Sequence, residues 1–67
     1  MDIMEFHVCQ QNGDLRWVVR LDNATYGDYL DKEQAMLDAL EAARDAQHAG
    51  REARVFLGER TETSRIF

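Results

Sequence analysis

Asp31 to Gly50, DKEQAMLDALEAARDAQHAG, is the one stretch of this sequence with helical periodicity, and it divides a strand-forming front half from a strand-forming tail. Asp31 supplies an N-cap carboxylate, with Gln34 at the capping-box position three residues on. Leu30 is placed to pack on Ala35 as a hydrophobic staple, and Gly50 provides the left-handed stop. At 100° per residue Met36, Ala39, Leu40, Ala43 and Ala46 form one stripe. Gln34, Asp38, Glu41, Asp45 and His48 fall opposite, and Leu37 lies among them as an exposed apolar residue. A helix of this length, about 27 Å, spans a small sheet.

The front half reads as a hairpin. Asn12-Gly13 between two alternating runs favours a type I′ turn. Centring the turn there pairs Val8 with Trp17, Phe6 with Val19 and Met4 with Leu21, all on one side of the ribbon. The other side then pairs Cys9 with Arg16, His7 with Val18, and Glu5 with Arg20. A turn at Asp22-Asn23-Ala24 leads to a third strand, Thr25 to Tyr29, which Gly27 marks as irregular or an edge. Beyond the helix, Ala53 to Leu57 forms a fourth strand, and Ser64 to Phe67 an optional fifth.

The order β-β-β-α-β(-β) predicts an α+β fold, a two-layer sandwich with one helix on a small, mostly antiparallel sheet. After the meander, one helical crossover returns the fourth strand parallel to the first and third, where it can pair beside either. The expected core is Met4, Phe6, Val8, Trp17, Val19, Leu21, Tyr29, Met36, Leu40, Ala43, Val55 and Leu57, with Trp17 as its largest anchor. Sixty-seven residues make one domain, 1–67, with a modest core.

From these features, a hairpin with Trp17-Val18-Val19-Arg20, a strand to Tyr29 and a helix opening Asp31-Lys32-Glu33-Gln34-Ala35, the chain resembles the small bacterial domain-of-unknown-function (DUF) family 2188. Trp17 and Val19 match its W-x-V, Tyr29 its aromatic, Lys32, Glu33 and Ala35 its helix start, and Val55 to Leu57 its last strand. The chain departs from the pattern at Asp31, where Thr is usual, in its hairpin turn, and at Gly58-Glu59-Arg60-Thr61, where the family has a D-G turn. The resemblance implies an α+β fold and carries no catalytic residue.

Chemistry is sparse. His7 and Cys9 share a strand face with Glu5, but no H-x-x-x-H or C-x-x-C completes a metal site, so no metal or cofactor is expected. The glycines are scattered rather than gathered into a phosphate loop, and Asp31 and Glu33 oppose an anion at the helix start. No enzymatic activity and no small-molecule substrate are expected. Cys9 is the only cysteine and no apolar run reaches membrane length, which together point to a cytoplasmic protein.

The net charge of −5 opposes general binding to phosphate, although residues 51–67 hold four arginines against three acids. Arg16, Arg20, Arg54 and Phe56 are expected on the sheet face away from the helix, with His7 and the apolar Val18. With Leu37 these residues form the candidate interaction set. The favoured reading is a non-enzymatic protein–protein interaction or regulatory module, with a homodimer among its forms. One alternative is a nucleic-acid-binding accessory protein using the outer sheet face. Another is an acidic, nucleic-acid-mimicking inhibitor presenting Asp38, Glu41 and Asp45.

Overall fold

The computed structural model describes residues 3–10, 16–22, 24–59 and 62–67. Within these residues five strands and one helix occur in the order β1 (Ile3–Gln10), β2 (Trp17–Leu21), β3 (Ala24–Tyr29), α1 (Lys32–His48), β4 (Glu52–Glu59) and β5 (Glu62–Arg65). The sheet runs β3-β2-β1-β4-β5. β1 and β4 are parallel and the other pairings antiparallel, so the helical crossover brings β4 beside β1. α1 packs on one face of the sheet, chiefly over β4 and β1, giving the expected two-layer α+β fold.

Both helix ends form by the chemistry written in the sequence. The Asp31 carboxylate accepts from the Gln34 amide at 2.8 Å, satisfying one of the orphan donors of the first turn. At the other end Gly50 adopts φ 83°, where a Cβ would be strained. The Arg51 and Gly50 amides then reach back to the carbonyls of Ala46 and Gln47, each at 2.9 Å, completing a Schellman motif. The staple does not form: Leu30 is 81% exposed, because the chain enters α1 with that side chain turned to solvent. Lys32 instead ties the helix start to the sheet, its Nζ donating to Glu59 at 2.8 Å and lying 5.9 Å from the Trp17 ring centroid.

The hairpin register differs from expectation by two residues. Val8 pairs with Val19 rather than Trp17, Phe6 with Leu21 rather than Val19, and Cys9 with Val18 rather than Arg16. His7 faces Arg20, not Val18, and Trp17 faces Gln10. A shift of two keeps every side chain on its expected face, since the alternation has period two. The Asn12-Gly13 turn lies outside the described residues. Strand bounds also move: β3 begins at Ala24, and β5 covers Glu62–Arg65 with Ile66 and Phe67 beyond it. The amides of Ile66 and Phe67 both donate to the Val55 carbonyl, at 2.8 and 3.3 Å.

Phe6, Val8, Val19, Ala35, Ala39, Ala43 and Val55 are fully buried, and Ala46 and Ala53 nearly so. Met4, Trp17, Leu21, Tyr29, Met36, Leu40 and Leu57 pack around them, so the expected residues all serve the core. The helix, however, meets the sheet through alanines, and its larger Met36 and Leu40 seal the flanks. Trp17 is half-buried at the end of the sheet rather than central.

β3 is the irregular edge strand its glycine suggested. Its pairing with β2 slips between Val19 and Arg20, leaving Tyr26 as the extra residue of a bulge. The Tyr26 ring meets Phe6 edge to face at 5.6 Å. Tyr29 lies across Gly27: a Cβ there would come within 2.7 Å of Tyr29 Cζ, so this position requires the missing side chain.

Candidate functional site

Among the described residues, one layer of helix covers one face of the sheet and leaves the other open. The pairings place each outward side chain in a cross-strand row. The middle row runs Thr25, Arg20, His7, Phe56, Arg65 from one edge to the other. A second row runs Asp28, Val18, Cys9, Gly58, Thr63. On the far side of the middle row Glu5 lies beside Arg54. Of the seven residues singled out in the sequence, His7, Val18, Arg20, Arg54 and Phe56 thus share this face. Arg16 joins it at its rim, its guanidinium 3.4 Å from Asp28. Leu37 lies apart on the helix, 56% exposed.

The charges on this face are partly engaged. Glu5 sits 4.0 Å from Arg54 and 3.6 Å from His7, and Glu52 lies 3.5 Å from Arg54. Glu5 therefore serves Arg54 and His7, and the expected Glu5–Arg20 pair gives way because the register moved Arg20 opposite His7. Arg65 donates from Nε to the Phe67 carbonyl at 2.8 Å. The His7 and Phe56 rings stack with centroids 4.9 Å apart and planes within 17°. Arg65 was not singled out in the sequence, because its neighbour on β4 depends on the β5 register and not on any local pattern.

Beside the middle row, Cys9, Val18, Arg20, Thr25 and Asp28 border a half-open depression of about 290 Å³. Such a volume is at the small end for a ligand site, and its shape is that of a dent in a sheet rather than a cleft. Among the described residues no three His, Cys, Asp or Glu side chains gather as a metal site. His7, two residues from Cys9, is turned into its stack with Phe56. No described helix is long and apolar enough to cross a membrane.

On the covered side, Asp38 is not part of the solvated helix face where periodicity put it. It accepts from Gln34 Nε2 at 3.0 Å and from the Tyr29 hydroxyl, closing the gap between the helix and β3. Of the three carboxylates of the acidic face, Glu41 and Asp45 stay exposed. Burial, then the hydrogen bond to Asp38 and its negative charge, and last Tyr26, push the Tyr29 phenol up from 10 to about 12. The folded state thus holds this proton more tightly than the unfolded chain. Its contribution to stability is full below about pH 10 and is lost as pH rises from there through about 12. Ultraviolet titration of the wild type against Tyr29→Phe should show the lost tyrosinate signal to have had its midpoint near pH 12. A midpoint near 10 would remove the Tyr29–Asp38 contact from the fold.

Compared with models of known protein families, with curated proteins and with solved structures, the chain matches none.

Proposed function

We propose that this is a non-enzymatic interaction module of the cytoplasm that binds another protein through its open sheet face. The observation that carries the reading is the gathering of half-buried Val18, His7 and Phe56 among arginines on the one face α1 leaves bare. An antiparallel sheet facing water usually turns polar residues outward, and an aromatic stack with a neighbouring valine is more apolar than solvation needs. The shallow depression supports binding by contact rather than catalysis. The single thiol, with no second cysteine to pair with, supports a reducing compartment. The likeness to the DUF2188 family belongs to the same proposal, supported by the order of hairpin, capped helix and last strand, and it adds no activity.

Panning a random peptide library on the wild type, with a Val18→Glu, Phe56→Ala double variant as the comparison, tests this reading. Peptides enriched on the wild type should fail on the variant, whose folding is checked by circular dichroism. No enrichment, or enrichment indifferent to the double variant, would contradict it. Sedimentation equilibrium on the same pair separates a second copy from a foreign partner. A dimer that dissociates in the variant would assign the face to self-association.

A further inference from the structure

We infer that the middle row of the open face is a receptor for an extended acidic peptide segment, one carrying two carboxylates four residues apart around an apolar residue. The inference rests on the reading of this face as a protein-binding surface and names the chemistry of the partner.

The row itself holds no carboxylate: it runs Thr25, Arg20, His7, Phe56, Arg65. Arg20 and Arg65 lie on β2 and β5, three strand spacings apart, which is about 14 Å at the usual 4.8 Å per strand. An extended peptide crossing the strands advances about 3.4 Å per residue, so side chains at i and i+4 also lie about 14 Å apart and on the same side. Carboxylates at those positions reach both guanidinium groups together, and the residue at i+2 sits over the His7–Phe56 pair. Arg–carboxylate pairing is the strong form of such contacts.

The ring geometry decides between a peptide and a single-stranded nucleic acid. His7 and Phe56 are direct partners on adjacent strands, and their 4.9 Å separation equals a strand spacing. The stack therefore runs from strand to strand, with both rings standing on edge above the sheet. One face of each ring covers the other, and the edges look outward. A nucleobase needs an open ring face to stack on, whereas outward ring edges still give an apolar side chain at i+2 a surface to pack against. Overall charge points the same way. The helix side presents Asp31, Glu33, Glu41 and Asp45 against Lys32 and Arg44, so a long polyanion is repelled where a short acidic segment is not.

Fluorescence anisotropy with a labelled, end-capped peptide Glu-Thr-Leu-Thr-Glu tests the inference on the intact chain. Binding should weaken about fivefold in each of Arg65→Gln and Arg20→Gln, and about 25-fold when both glutamates of the peptide become glutamine and both pairs are lost. Arg44→Gln on the helix should leave it unchanged, and added salt should weaken it. Arg65 lies on an exposed edge strand, so its variant keeps the test valid if Arg20→Gln destabilises the fold. Equal affinity for the glutamine peptide would overturn the inference, as would displacement of the peptide by oligothymidylate through the same two arginines. If library peptides of other character bind the face while this one does not, the acidic specificity fails and the binding module stands. If neither binds, both fail.

Discussion

Phe6→Ala is expected to leave much of the chain unfolded at 25 °C. Phe6 is fully buried at the middle of the central strand, between Leu21 on β2 and Val55 on β4, with the Tyr26 ring edge-on at 5.6 Å. Removing such a ring costs about 3–5 kcal/mol, as lost transfer energy plus an unfilled cavity. A domain this small has a total stability of about that size. The strands around Phe6 are held in register on both sides, which limits how far they can collapse into the gap. Urea unfolding followed by circular dichroism should show the native baseline lost or the midpoint moved close to zero denaturant. A midpoint within error of the wild type would contradict the placement of Phe6. Trp17→Ala, although the larger truncation, should cost less, because Trp17 is half-buried at the end of the sheet.

Ala43→Leu is the second large effect. Ala35, Ala39 and Ala43 are each fully buried, so α1 approaches the sheet closely enough that a methyl group fills the space. Leucine adds three carbons where there is no room, and the helix must rise or the side chain leave its rotamer. The expected cost is about 1–3 kcal/mol, seen as a lowered melting temperature. Leu37→Ala, on the exposed side of the same helix, exchanges residues of similar helix propensity and should stay within about 0.5 kcal/mol of wild type. Equal melting of Ala43→Leu and Leu37→Ala would mean that α1 does not sit on the sheet through its alanines.

These two sites also show what the sequence could reveal. Asp31 and Gly50 are chemical signals, a side-chain acceptor and a residue without a Cβ, and both ends of α1 follow from them. Alternation assigned His7, Val18 and Arg20 to the outer face and Phe6, Val8 and Val19 to the inner one, and a two-residue shift cannot disturb that assignment. For the same reason alternation cannot detect the shift. Pairing Val8 with Val19 instead of Trp17 moves the tryptophan from the centre to the end of the sheet without exposing any residue meant for the core. Size misled there, because a large apolar ring is an anchor only where the register puts it. Leu30 misled similarly: the staple position is a matter of sequence, but the end of β3 turns Tyr29 to the core and leaves Leu30 81% exposed.

The candidate site was legible as a face and not as a row. That Phe56 stacks on His7 depends on β4 returning beside β1, a tertiary choice between strands that are both available to a parallel partner. Arg65 enters the row only because β5 pairs antiparallel on the outside of β4. Asp38 shows the converse. Periodicity put it on the solvated face of the helix, and the Tyr29 hydroxyl instead makes it part of the helix–sheet joint.

Heteronuclear NMR titration of the labelled protein with the Glu-Thr-Leu-Thr-Glu peptide tests the central claim most directly, because it reports where the partner sits as well as whether it binds. Backbone amide shifts should move along the row, at Arg20, His7, Phe56 and Arg65, while those of Leu37, Glu41 and Arg44 on the far layer stay in place. Shifts centred on α1, or spread evenly over both layers, would contradict the assignment of the open sheet face as the binding surface.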